Sequence, residues 1–207
     1  MRWGLAVSLL GSVLVALASR RDDLYRLLVH EDALLEWAQV AAFVVVVVLA
    51  VLAAPRLWGD GHRAAAVVVA GLAAGALVSI GEELSWGQRI LDFHAPAAFA
   101  ANHQGEATLH NEPGIETGSR VVLLLAGVYG LVTPLVVRRR TPFVPPRALV
   151  GLFAVVAAYF AARLLFLPHP TYVEAKYSEW PELCLAVAAI AWCATVARGS
   201  PRLATGD

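Results

Sequence analysis

From Phe43 to Ala54 the chain carries no polar side chain. Such a stretch cannot be one face of a water-soluble helix, which alternates apolar and polar positions turn by turn. Comparable apolar runs recur along the sequence, at 3–19, 33–54, 64–81, 121–137, 148–167 and 180–197. Each is close to the roughly 20 residues a helix needs to cross about 30 Å of hydrocarbon. With 59% hydrophobic residues, only 15% charged and a mean hydropathy of +0.66, the chain does not fit a soluble domain of 207 residues. The expected fold is an all-α integral membrane protein, a six-transmembrane-helix bundle forming a single domain over 1–207. Its first partner is the lipid bilayer. A formal net charge of zero gives no reason to expect nucleic acid.

The charges divide sharply between the two sides. Threading the runs alternately places the connections 55–63 and 138–147 with both termini. These segments, with 1–2 and 198–207, hold nine Arg and only Asp60 and Asp207 as acids. The opposite side (20–36, 82–120 and 163–182) holds 14 of the 16 acids, five of six His and seven Lys or Arg. Short cytoplasmic loops retain Lys and Arg. Basic density therefore puts both termini in the cytoplasm of a multi-pass cell-membrane protein and the acidic side outside. Met1-Arg2, an apolar stretch and Ala16-Leu17-Ala18 also match a cleaved secretory signal. Cleavage there would leave five helices and the same outer face.

Cys184 and Cys193 lie nine positions apart in the last run, about 13 Å along a helix and beyond disulfide reach. They read as small apolar packing residues. Gly71-x-x-x-Gly75 is a motif that permits close helix packing.

The extracytoplasmic segment 82–120 is the richest in chemistry. If the third helix continues through Gly81-Glu82-Glu83-Leu84-Ser85-Trp86-Gly87-Gln88-Arg89, then Glu82, Ser85 and Arg89 share one face. The plain alternative is a solvated helix end with Glu82–Arg89 attraction and Trp86 as an interfacial anchor. A second helix is expected from Pro96 to Asn111, placing His103, Glu106 and His110 on one stripe. Imidazoles and a carboxylate are ligand types that a divalent metal, zinc or iron, accepts. The competing explanation is a hydrogen-bonded polar surface.

The other outer segments are shorter. Leu24, Leu27, Leu28, Leu34 and Leu35 among charges predict an interfacial helix leading into the second span. Glu36 and Gln39 then fall one to two turns inside that span, where a carboxylate needs a partner. Arg163 is the expected one, either as a structural clamp or with its planar fork holding an anion such as a lipid phosphate. Tyr172, Tyr177 and Trp180 suit an aromatic belt, and Pro181 with Glu182 the first turn of the last helix.

The strings Gly-Glu-Glu-x-Ser-Trp-Gly-Gln-Arg (Glu82, Glu83, Ser85, Trp86, Gln88, Arg89) and Gln-Gly-Glu-x-x-Leu-His-Asn (Gln104, Glu106, His110, Asn111) resemble those of a family of uncharacterised bacterial multi-pass membrane proteins. An earlier string matches at Glu31, Asp32, Glu36 and Trp37. The resemblance covers about a fifth of the chain. It implies membership and a location between membrane helices, and carries no reaction with it.

Together these readings predict an outer-leaflet hydrolase or transferase acting on a lipid or lipid-linked substrate. Its catalytic group would be Glu82, Glu83, Arg89, Glu106, His110 and Asn111, with Glu36, Gln88 and Arg163 binding substrate. Glu82, Glu106 and His110 would hold any metal. The alternatives are a non-catalytic membrane scaffold and a proton or cation conductor.

Overall fold

Hydrocarbon offers backbone N–H and C=O groups no partner, so a chain that enters it must satisfy them internally, and helices do this within one segment. The structure, a computed structural model, describes residues 2–30, 33–91, 93–99, 107–109, 115–137, 141–167 and 176–198, with Arg2, Trp3, Arg89 and Ala98 described by their backbone alone. Its helices are α1 (Arg2–Ala18), α2 (Asp22–Leu28), α3 (Leu34–Gly59), α4 (Arg63–Glu83), α5 (Gln88–Leu91), α6 (Ile115–Val136), α7 (Val150–Phe166) and α8 (Glu179–Ala197). Short 3₁₀ turns occupy Ser85–Gly87, Ala97–Phe99 and Arg147–Leu149, and the described residues contain no strand.

Among the described residues five segments are long and apolar enough to cross a membrane: α3, α4, α6, α7 with its preceding 3₁₀ turn, and α8. The apolar part of α1, Gly4–Ala18, is shorter. Two boundaries move outward from the apolar runs. Helix α3 continues through Pro55 to Gly59, and α6 starts at Ile115 with Glu116 in its first turn.

Helix α3 packs between α4 and α8, α7 packs between α8 and α6, and α1 lies chiefly against α7. The interfaces are built from small residues. Ala42, Ala50 and Ala53 of α3 meet Ala66, Ala73 and Ala76 of α4 and Ala186 and Ala189 of α8 in the buried interior. Large aliphatic side chains point outward instead, among them Leu10, Val48, Leu52, Val67, Leu77, Val122 and Leu125. This is the arrangement lipid favours, because between apolar helices it is close backbone approach, not exclusion of apolar surface from water, that drives association.

Glycines mark the tightest approaches, though not the ones the motif suggested. A Cβ on Gly151 would sit 2.2 Å from the backbone nitrogen of Leu5, and one on Gly127 would sit 2.6 Å from that of Ala157. Around Gly71 and Gly75 a Cβ would meet nothing within 4 Å. The Gly-x-x-x-Gly pair of α4 therefore faces away from the bundle, and the expectation that it mediates packing within this chain is corrected. The Arg-rich end is closed by hydrogen bonds from Arg56 Nη1 to the Ala197 carbonyl (3.2 Å), Trp192 Nε1 to the Pro142 carbonyl (3.0 Å) and Arg147 Nε to the Pro134 carbonyl (2.9 Å).

Gly127→Ala should lower the stability of the detergent-purified protein by about 1–3 kcal/mol, the usual cost of overpacking. Gly71→Ala and Gly75→Ala should leave its thermal melting unchanged.

Candidate functional site

Because the long helices alternate in direction, the starts of α3, α6 and α8 meet the ends of α4 and α7 at one end of the bundle. Every buried charged residue among those described is there: Glu36, Glu82, Arg120, Arg163 and Glu179. Most positions suit the helix dipole, with Glu36, Glu116, Glu179 and Glu182 in first turns and Arg163 in a last turn. Glu82 and Glu83 do not. They end α4, where a negative charge is disfavoured.

Two groups of side chains form there. In the first, Lys176 lies just before α8, with its Nζ 3.4 Å from Glu179 Oε1 and 3.7 Å from Glu36 Oε2. Gln39, on the second turn of α3 and fully buried, donates from Nε2 to the Glu179 main-chain oxygen at 3.0 Å and also to the Glu179 carboxylate. Its Oε1 has no donor among the described residues. Glu83, partly exposed at the end of α4, lies within Coulombic range of Glu179, Glu182, Glu36 and Lys176. Lys176 is the only lysine in the chain.

In the second group, Arg163 donates from Nη1 to the Tyr159 hydroxyl at 3.1 Å, its guanidinium 5.9 Å from the ring centroid. Arg120 bonds Glu116 one turn earlier and lies within range of Arg163 and Tyr159. Glu182 is within range of Tyr159 as well as Glu83, so it links the groups.

The chain after α4 departs from expectation. The helix stops at Glu83, and Ser85, Trp86 and Gly87 follow with φ of 47°, 52° and 93°. Left-handed conformations cost about 1–2 kcal/mol for residues other than glycine. The compensation is visible. The Trp86 ring folds back over Gly81, where a Cβ would come within 2.9 Å of it, and its indole N–H donates to Glu82 Oε1 at 2.7 Å. Glu82, Ser85 and Arg89 thus do not share a helical face, and the Glu82 partner shown is Trp86.

The helix expected from Pro96 to Asn111 is also corrected. Ala97–Phe99 is a 3₁₀ turn and residues 107–109 are not helical, so one helix does not run through the described part of the stretch, and His103 lies outside the described residues. The two sequence strings nevertheless meet, because the Ala107 amide donates to Gln88 Oε1 at 2.8 Å and Ala107 and Thr108 are buried. Glu106, His110 and Asn111 lie outside the described residues. Among the described residues no three His, Cys, Asp or Glu are placed to hold a metal ion.

Glu36 and Glu83 enter one group as expected, but the cation beside Glu36 is Lys176, while Arg163 sits with Tyr159. Glu179, Gln39, Lys176 and Arg120 are site residues that sequence reasoning did not assign. The available signal was Glu179 with Glu182 in one helical turn, three residues after a lone lysine. Trp180, expected in an aromatic belt, places its ring over Gly11 and donates from Nε1 to the Ser8 carbonyl at 3.2 Å.

Fold and polar end together define the class, an all-helical chain with the make-up of a multi-pass membrane protein. Comparison with protein-family models, with curated proteins and with solved structures finds no match.

Lys176→Met should strand Glu36 and Glu179 without their shared cation. Removing one member of a buried ion pair typically costs about 3–5 kcal/mol. The expected result is a markedly lower melting temperature in detergent, whereas Arg21→Met, which breaks the exposed pair with Asp23, should melt like the parent.

Proposed function

We propose that the protein is a membrane-embedded acid–base enzyme, a hydrolase or group transferase acting at the outer leaflet on a lipid or lipid-linked substrate. The observation that carries this reading is the convergence of Glu36, Glu83 and Glu179, from three helices, on one lysine at one end of a largely apolar bundle, with Glu182 within range of Glu83. Stability alone does not call for such a group. An acid pair at the C-terminal end of α4 opposes the helix dipole, and crowded carboxylates repel one another. In this reading Glu83, the more accessible, exchanges the proton with substrate. Glu179, oriented by Gln39 and Lys176, and Glu36 set the field around it. Arg163 and Arg120 hold the anionic part of the substrate through planar, bidentate-capable guanidinium groups. Glu106, His110 and Asn111 belong to the same reading, as neighbours of the segment pinned by Gln88. The carboxylate-only form is preferred to a zinc or iron site, since Glu82 is already engaged by Trp86.

The proposed orientation has both termini in the cytoplasm, with α2 and the 82–120 segment at the outer interface. It includes membership of the bacterial multi-pass family whose strings the chain resembles. Conduction is the weaker alternative. Beneath the carboxylates the core includes Ala42, Phe43, Val46, Ala76, Ala186 and Ala189, then Ala50, Ala53, Val69 and Ala73, and among the described residues no charged side chain is buried there to relay an ion.

Turnover would be assayed with purified protein in nanodiscs against a panel of phospholipids and lipid-linked phosphates. Glu83→Gln should reduce it by about 10²–10⁴-fold, the range for loss of a general acid or base, with melting close to wild type. No turnover on the whole panel, combined with full genetic complementation by Glu83→Gln, would leave the scaffold reading in its place. For the orientation, a fluorescent protein fused at the C-terminus should fluoresce, and an alkaline phosphatase fused there should be inactive.

A further inference from the structure

We infer that the carboxylate group binds a primary ammonium, the headgroup amine of an ethanolamine-type lipid or a small free amine, held by Gln39 Oε1 and Glu83 at the edge of the Lys176 cluster. This deepens the reading of the site as one that faces lipid, and names the cationic part of what it takes.

The argument starts from Gln39. An amide carries an acceptor and two donors, and a buried one should satisfy both ends. Here Nε2 spans two oxygens of Glu179, which fixes which way round the amide lies, since the reverse would set two acceptors against the carboxylate. Oε1 is therefore committed to facing a donor, and the described protein provides none. The residue is fully buried, so bulk water does not reach it freely. An acceptor left bare in such a place costs about 1–3 kcal/mol. The missing group is a hydrogen-bond donor, and the surrounding charge says that it is cationic. Glu36 and Glu179 flank the Lys176 ammonium, and Glu83 lies within Coulombic range of both, of Glu182 and of Lys176.

The kind of cation follows from the acceptors. A divalent metal held by protein wants several close oxygen or nitrogen ligands, and no three acids, histidines or cysteines among the described residues are so placed. A quaternary ammonium has no N–H to give Gln39 Oε1. A primary ammonium has three, which suits an amide oxygen and carboxylates on separate helices. Access is on the α4 and α8 side, where Glu83 and Glu182 are partly exposed while Glu36, Gln39 and Glu179 are buried.

The test uses the full-length protein in vesicles of equal dioleoyl phosphatidylethanolamine and dioleoyl phosphatidylcholine, headgroups that differ in three N–H bonds against three N-methyl groups. Native mass spectrometry of the released protein should show the ethanolamine lipid retained about tenfold over the choline lipid, a difference of about 1.4 kcal/mol. Gln39→Leu and the near-isosteric Glu83→Gln should each abolish the preference. The second variant guards against loss of fold in the first. In a parallel arm, free ethanolamine that raises the melting temperature with no lipid preference would assign the site to a soluble amine. Equal retention of both lipids with no effect of ethanolamine would overturn the inference, as would stabilisation by sodium chloride matching that by ethanolamine. The enzymatic reading fails separately. Ethanolamine-lipid retention without any turnover removes catalysis and leaves this site, whereas turnover indifferent to Gln39→Leu and to the headgroup amine does the reverse.

Discussion

The contact on which the rest of the structure depends is the junction of α3 and α8 through Gln39, Glu179 and Lys176. Below it, the interface between these helices is mostly alanine, which allows close approach but sets register weakly, because one alanine fits against another at many offsets. A buried amide that meets a main-chain oxygen and a carboxylate of one residue tolerates no such offset. A one-residue slip would leave Glu179 and Gln39 facing apolar side chains, and unpaired polar groups in a low-dielectric interior are costly. Buried ion pairs contribute little net stability, but setting register is their best-attested use. Once α3 and α8 are aligned, α4 is placed by its packing on α3, and Glu83 is carried to the same end.

The packing around that junction reverses the distribution seen in soluble proteins. Small residues lie inside and branched aliphatics outside, so the bundle offers lipid a large apolar surface and its own helices a thin, close contact. Gly127 and Gly151 allow α6 and α1 to reach α7 at backbone distance. Trp180 ties α1 to the start of α8, its ring filling the space above Gly11.

Much of this was legible in the sequence, and the reasons for the failures are specific. The long spans could be read because backbone satisfaction in lipid leaves a run such as Phe43–Ala54 only one structure. That polar residues gather at one end followed from alternating the spans, since Glu36, Glu83, Arg163 and Glu182 all adjoin the same set of connections. The partner of Glu36 did not follow. Arg163 and Lys176 are both cations at that end, and choosing between them requires knowing that α8 rather than α7 lies against α3. The Gly71 and Gly75 motif misled for a related reason: spacing shows that two glycines share a face but not which way the face turns. The break at Ser85–Gly87 was hidden because two residues with ordinary side chains adopt positive φ there. What permits it is a glycine four and five residues back together with the Glu82–Trp86 bond. Seen in the fold, Gly-Glu-Glu-x-Ser-Trp is first a device for reversing the chain over the end of α4. Only Glu83 of that string faces the carboxylate group.

A polar cluster at a bundle's end has different consequences according to what lies beneath it. Here the carboxylates sit directly on Phe43, Val46 and Ala186, and the layer below them is equally apolar. Among the described residues no charged side chain is buried deeper than this end, so a ligand admitted here is confined to it. Confinement of this kind suits chemistry or recognition, because the low dielectric that makes each charge expensive also strengthens its action on a bound group. Glu83, at the unfavourable end of its helix, is partly exposed, while Glu36 and Glu179, at favourable helix ends, are buried and cross-linked. Two acids are thus held fixed by dipole, amide and ammonium, and Glu83 is left as a carboxylate that a ligand can readily satisfy.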